Sequence, residues 1–157
     1  MAIRRRATFW IRRWSRFGEA GTAALEFGLL APFLILLAVG AVDLGTGAYQ
    51  AMQAQNAAEA GAIYAAKYGL DTAGISNAVA NATQAATISA TPAPSQFCGC
   101  PGASGITDTS CSSTCTGGSA PGQYLRISAR IAHDSLFSIS SLIVPATFTG
   151  EAIVRIY

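Results

Sequence analysis

The chain has 157 residues, of which 51% are hydrophobic and only 11% are charged, and its formal net charge is +2. This length suits one modest domain, and so few charged groups leave little material for acid–base catalysis. The sequence contains no nucleophile elbow, no phosphate-binding glycine loop and no conspicuous pair of carboxylates. We therefore expect a structural component and not an enzyme, with no cofactor and no bound metal.

Charge is distributed unevenly along the chain. Six of the ten basic residues lie in the first 16 positions, and they are Arg4, Arg5, Arg6, Arg12, Arg13 and Arg16. A basic segment ahead of an apolar one predicts a cytoplasmic N-terminus by the positive-inside rule. Nucleic-acid binding would also use basic residues with interleaved aromatic residues. The apolar segment that follows makes membrane topology the simpler explanation, so we expect no nucleic-acid partner.

The next element is this apolar segment. Residues 27–42 carry no charge, and the 21 residues from Thr22 to Val42 form a helix about as long as the ~30 Å hydrocarbon core of a bilayer. We predict a transmembrane helix over residues 22–43. Pro32 lies inside it and removes one helical hydrogen bond, which predicts a kink. A secretory signal would instead have a shorter apolar core that ends in its cleavage site.

The start of the apolar segment carries a short motif. Gly21 is followed five residues later by Glu26, a carboxylate that costs on the order of a few kcal/mol in a membrane unless it has a partner. A basic leader, a glycine, this glutamate and an apolar helix together resemble the processing site of type IV prepilins. The resemblance implies cleavage between Gly21 and Thr22 by a prepilin peptidase. It also implies that Glu26 helps to set helix register and assembly.

Longer matching segments narrow the resemblance. They are Ala24-Leu25-Glu26-Phe27, Leu30-Ala31-Pro32-Phe33-Leu34 and Asn56-Ala57-Ala58-Glu59-Ala60-Gly61-Ala62. Over residues 18–69 the chain is similar to TadE, the pseudopilin-like family of the Tad (Flp) pilus machinery. The resemblance implies membrane lipid, a prepilin peptidase and other Tad pilus subunits or pseudopilins as partners.

Residues 44–86 are predicted to be helical, because no proline interrupts them. Gly69 is expected to end the first helix, and Asp71 is expected to cap a second helix over about Thr72 to Ala86. The larger apolar residues form a broken stripe, which comprises Tyr49, Met52, Ala60, Ile63, Tyr64 and Tyr68. We expect this stripe to pack on the chain's own sheet, with packing along other subunits as the alternative.

All four cysteines fall in a segment rich in Gly, Ser, Thr and Pro, residues 92–122, which is predicted to be a loop. They are Cys98, Cys100, Cys111 and Cys115. On the predicted topology they lie outside the cytoplasm, where two disulfides are favoured. A Cys98–Cys100 bond would be strained, and the other two pairings stay open. A structural zinc is the alternative, although the cysteine spacings depart from those of a zinc knuckle.

The remaining residues, 123–157, are predicted to form strands. Apolar residues alternate with polar ones from position 124 onward, and those on the apolar face are Leu125, Ile127, Ala129 and Ile131. A second strand is expected over residues 146–157, an edge over 87–91, and either a strand or a loop over 135–145.

His133 is the one histidine of the chain and lies beside Asp134. Neighbouring residues of a strand point to opposite faces, so the two side chains are not expected to act together as a catalytic pair. We predict that His133 is a solvated residue at the end of a strand.

These elements predict an α+β protein in which a long N-terminal transmembrane helix continues into a pilin-like helix, packed on a small antiparallel β-sheet with a disulfide loop. Its predicted parts are a basic cytoplasmic leader (1–21), a transmembrane helix (22–43) and an exported domain (44–157). The resemblance implies a minor pseudopilin of the bacterial inner membrane with a periplasmic domain. The alternatives are an uncleaved bitopic scaffold or adaptor, and an exported module that binds a surface ligand through its cysteine loop.

Overall fold

The computed structural model describes residues 17–133 and 144–156. The chain divides into two compact units, one ending at Val42 and the other beginning at Asp43. Residues 1–16 of the arginine-rich leader, Asp134 and most of the predicted strand or loop at 135–145 lie outside the described residues.

Helix α1 runs from Phe17 to Tyr68 and has 52 residues, with Pro32 inside it. It therefore joins the two predicted helical segments, 22–43 and 44–68, into one element. It ends at Gly69, whose φ of +74° suits glycine and whose N–H donates to the carbonyl of Ala65 at 2.8 Å. The predicted helix end at Gly69 is confirmed.

Helix α2 runs from Thr72 to Asn81. Its N-cap is Asp71, as predicted, and the Asp71 carboxylate accepts a hydrogen bond from the N–H of Gly74 at 3.0 Å. The helix ends five residues before the predicted Ala86. Asn81 donates its side-chain amide to the carbonyl of Asn77, and Thr83 accepts from the N–H of Ala85. These local side-chain hydrogen bonds compete with the backbone hydrogen bonds that would continue the helix.

The sheet has four antiparallel strands in the order β2-β1-β3-β4. They are β1 (Ser95–Gly102), β2 (Gly105–Thr109), β3 (Gly122–Ala132) and β4 (Thr147–Arg155). The two strands predicted in the tail are confirmed, and the alternation in β3 buries Leu125, Ile127, Ala129 and Ile131.

The predicted loop at 92–122 is wrong for residues 95–109, which form the β1–β2 hairpin. The strand β1 is rich in Gly, Cys and Pro and lacks the alternation that marks a half-buried strand. It is instead held by pairing on both sides, with β2 and with β3. The predicted edge at 87–91 is reduced to one bridge between Ser89 and Arg130.

The core of the second unit lies between the two helices and one face of the sheet. Small residues of α1 are fully buried there, namely Ala54, Ala57, Ala58 and Ala65, and α2 contributes Ile75 and Val79. The helix approaches the sheet so closely that a Cβ added at Gly150 of β4 would overlap the backbone of Ala54 and Gln55. Alanine and glycine therefore form the docking face, because a larger side chain would hold the helix away from the sheet.

The predicted packing of the larger apolar stripe on the sheet is wrong. Tyr49, Met52, Ile63 and Tyr68 are 58–73% exposed. Tyr64 alone of the large stripe residues packs against the core, and its hydroxyl donates to the Asp71 carboxylate at 3.0 Å.

Gln55 of α1 reaches the edge strand of the sheet. Its side-chain oxygen accepts from the N–H of Glu151 at 3.3 Å, and its side-chain nitrogen donates to the carbonyl of Glu151 at 3.2 Å. Both main-chain groups of this β4 residue are thus bonded to one side chain of the helix.

Candidate functional sites

The predicted processing site lies in the first unit, within helix α1. A Cβ added at Gly21 would meet no atom within 4 Å, and Glu26 is exposed. Five helical residues correspond to a rotation of roughly 500°, so Gly21 and Glu26 lie on different faces of the helix. The structure therefore leaves both residues accessible, but it does not bring them together on one surface.

The apolar side chains that follow are exposed on all sides of the helix. The large ones are 51–72% exposed, and they are Leu25, Phe27, Leu29, Leu30, Phe33, Leu34, Ile35, Leu36, Leu37 and Val42. The helix is long and apolar enough to cross a membrane, and none of its most apolar 18-residue stretch is buried within the protein. A helix that is apolar all around requires an apolar surrounding such as lipid or other helices.

The four cysteines form two disulfides, Cys98–Cys111 and Cys100–Cys115. Cys98 and Cys100 lie two positions apart on β1, so their side chains leave the same face of the strand. Both bonds hold the segment after β2 against this strand. Because all four cysteines are bonded, none is a thiolate ligand, and the zinc alternative is wrong.

A buried polar cluster, consisting of Asp43, Gln50 and His133, connects α1 to the end of β3. Nε2 of His133 lies 3.8 Å from Oδ1 of Asp43, and both side chains are 2% exposed. Nδ1 of His133 lies 2.5 Å from Oε1 of Gln50, and the ring meets that of Phe148 edge-on at 5.6 Å between centroids. The prediction of a solvated His133 is therefore wrong.

The position of His133 has a backbone cause. Its N–H donates to the carbonyl of Ala146 at 2.9 Å, which continues the strand pairing one residue beyond β3 and directs the ring toward α1. Nearly complete burial keeps substrate away from this acid–base pair, so the cluster does not have the form of a catalytic site. Sequence reasoning missed Asp43 and Gln50, although their seven-residue spacing on one helix was a signal that both face the same way.

The outer face of the sheet carries a charged network centred on Arg126. The guanidinium makes two hydrogen bonds with the Asp108 carboxylate from one nitrogen and a third from another, and its Nε donates to Glu151 at 2.9 Å. It also lies 4.6 Å from the centroid of the Phe97 ring. The Asp108 hydrogen bonds are the main cause that raises the pKa of Arg126. These four residues come from four different strands, so the network joins the whole width of the sheet.

The second unit also presents an exposed apolar face on α1, formed by Tyr49, Met52 and Ile63. A shallow groove lies beside Tyr49 and Met52, and its other wall is formed by residues 82–84. Its remaining lining residues, Gln53 and Asn56, are polar but uncharged. Such a face is suited to packing against another protein surface.

A comparison with known families matches part of the helix that carries these features. Residues 21–62 match the family of TadE-like proteins. The TadE-like segment begins at Gly21, contains the apolar stretch and extends to the middle of the docked part of α1. The match confirms the predicted resemblance. It supports a structural component related to the Tad pilus. No curated protein and no solved structure matches the chain significantly.

The remaining part of the chain lies outside the TadE-like segment. It includes α2, all four strands and both disulfides.

The family match together with the apolar helix indicates a membrane-anchored protein.

Proposed function

We propose that this protein is a minor pseudopilin of a Tad (Flp) pilus or a related secretion system, processed by a prepilin peptidase between Gly21 and Thr22. The observation that carries the proposal is the family match over residues 21–62, which begins at this glycine and includes Glu26 and the apolar stretch. The protein would act as a structural or assembly component without catalysing a reaction.

The proposed topology has the arginine-rich leader in the cytoplasm, one crossing of the inner membrane and a periplasmic second unit. Two features support it. The exposed apolar residues of 25–42 match the bilayer in length and character. The two disulfides are typical of proteins that fold in an oxidising compartment such as the periplasm.

The proposed partners are other pilus subunits or pseudopilins, together with membrane lipid and the peptidase. Exposed apolar residues extend along α1 from the apolar stretch to Tyr68. In the second unit Tyr49, Met52 and Ile63 lie on a different face of the helix from the alanines that dock on the sheet. This face therefore remains available for helices of other subunits after the unit has folded.

N-terminal sequencing of the protein recovered from membranes tests the processing step. We expect the mature chain to begin at Thr22, and Gly21→Ala to leave a chain that begins at or near Met1. Gly28→Ala is a matched control, because an added Cβ meets no atom within 4 Å at either glycine. A wild-type chain that begins at or near Met1 would refute processing and favour an uncleaved anchored scaffold.

The proposed role of Glu26 needs a separate measurement. We expect Glu26→Ala to reduce the number of pili per cell while the protein is still processed and still present in the membrane. Glu59→Ala, which removes another exposed carboxylate of the same helix, should leave piliation close to wild type. Normal piliation in Glu26→Ala would limit Glu26 to an interfacial carboxylate.

A further inference from the structure

The buried polar cluster of Asp43, Gln50 and His133 holds a part of α1 that precedes the core residues of this helix. The first α1 residue of the core along the chain is Ala54. Before it, the buried α1 residues of this unit are Asp43 and Gly47. A Cβ added at Gly47 would lie 3.1 Å from side-chain atoms of Val144 and Phe148, so this glycine packs closely on both. Residues 43–53 therefore dock through this cluster and the single close contact of Gly47 with Val144 and Phe148, whereas residues 54–65 dock through close packing of several alanines and Gly61 against the core.

The two kinds of docking respond differently to a small change. Close apolar packing is spread over many atoms, so no single contact decides it. A buried pair of an acid and a histidine depends on both partners, because removal of one takes away a polar contact of the other in a place that is closed to solvent. Asp43 and His133 are such a pair, with 2% side-chain exposure at each. The docking of residues 43–53 thus depends on a few contacts, and the Asp43–His133 pair is the most deeply buried polar one.

We propose that this cluster is a clasp that decides whether residues 43–53 of α1 stay docked on the sheet. Residues 54–65 stay docked in either case. Opening the clasp would release roughly three helical turns from the sheet, and a helical segment without tertiary packing opens its own hydrogen bonds more often than a docked one. The released segment follows directly after the apolar stretch, so the clasp is a conformational device of the second unit. This inference does not depend on the pilus role.

Hydrogen exchange of the full-length wild-type protein in detergent micelles is the first test. Peptides covering residues 43–53 and 54–65 can be compared within one sample. We expect faster amide exchange in residues 43–53, because their docking can open locally while the core remains folded. Equal protection of the two segments would overturn the proposal.

Asp43→Leu is the variant that opens the clasp. We expect amide exchange in residues 43–53 to increase about tenfold or more, while exchange in residues 54–65 changes by less than about twofold. Asn56→Leu is the matched control, because it replaces an exposed polar residue of the same helix and should change neither segment. An equal increase in both segments would show that the cluster contributes only to global stability, and no increase would show that it has no role in docking.

The double variant Asp43→Leu/His133→Leu tests the pairing itself and also covers the case in which Asp43→Leu does not fold. Replacing both members of a buried pair by apolar residues is often nearly neutral, so we expect protection of residues 43–53 within about threefold of wild type. Exchange in the double variant as fast as in Asp43→Leu, or failure of the double variant to fold, would refute the clasp.

Discussion

The two parts of helix α1 use their apolar residues in opposite ways. In residues 25–42 the large side chains are exposed around the whole helix. In residues 43–68 the buried positions are mostly alanine and glycine, and the large apolar side chains other than Tyr64 are exposed. One continuous helix thus contains a segment suited to an apolar solvent and a segment fitted to a specific sheet. Side-chain size, and not hydrophobicity alone, distinguishes the docking face of the second segment.

Removal of the disulfides should produce the largest difference between the two parts. The paired cysteines lie 13 and 15 residues apart, and each bond is expected to stabilise the second unit by about 3 kcal/mol. Cys98→Ser/Cys111→Ser should therefore lower the unfolding midpoint measured by tyrosine fluorescence in micelles. Addition of a reductant to wild type should have a similar or larger effect. Persistence of the micelle-embedded helix in circular dichroism is the internal control, and an unchanged midpoint would contradict the prediction.

A methyl group at the helix–sheet contact should have the next largest effect. In Gly150→Ala the new Cβ would overlap the backbone of α1, which cannot move aside cheaply, and we expect a loss of about 2–3 kcal/mol in the free energy of unfolding. Gly45→Ala places a methyl group on the same helix where nothing lies within 4 Å, and it should gain up to about 1 kcal/mol. Chemical denaturation of both variants gives the comparison. Equal stabilities would mean that the close approach of β4 to α1 is not required.

The smallest expected effect on stability concerns the junction between α1 and α2, where Asp71 bonds to Gly74 and Tyr64. Hydrogen bonds, first from the N–H of Gly74 and then from the Tyr64 hydroxyl, lower the pKa of Asp71 below its ordinary value of 3.8. The carboxylate therefore contributes stability that is present above pH 3.8 and is lost as pH falls through the lower, folded-state pKa. Asp71→Asn should remove this dependence, as measured by the unfolding midpoint between about pH 5 and pH 2. Parallel pH curves for the two proteins would contradict the assignment.

The same junction behaves in the opposite sense at high pH. The hydrogen bond to Asp71 is the main cause that raises the pKa of Tyr64 above 10.0. The protonated Tyr64 hydroxyl therefore contributes stability that is present below pH 10.0 and is lost as pH rises through its folded-state pKa. Tyr64→Phe is expected to reduce the fall of the unfolding midpoint as pH rises above 10.0.

The sequence predicted the elements that follow local rules. Gly69 and Asp71 end one helix and begin the next by backbone conformation and capping, and both were identified without the structure. The alternation in β3 was likewise sufficient, because one face of that strand is buried along its length. The family resemblance rested on the same kind of local pattern around Gly21 and Glu26.

The features that were missed depend on contacts between distant parts of the chain. Most of the large residues that were expected to pack on the sheet are exposed, with Tyr64 as the exception, because the space beside β4 admits only small side chains. The β1–β2 hairpin was not predicted, because strand pairing and disulfides stabilise a strand whose composition is typical of a loop. His133 lies 83 residues from Gln50 in the sequence, and no local pattern links the two.

Gln55 has a consequence for the behaviour of many copies on one membrane. An edge strand with free N–H and C=O groups is a template on which a neighbouring chain can add a strand. Glu151 lies at the middle of the edge strand β4, and both of its main-chain groups are already bonded to the Gln55 amide. A strand approaching from another molecule would have to displace this side chain before it could form a continuous ladder. The helix thereby protects the sheet against aggregation at high local concentration.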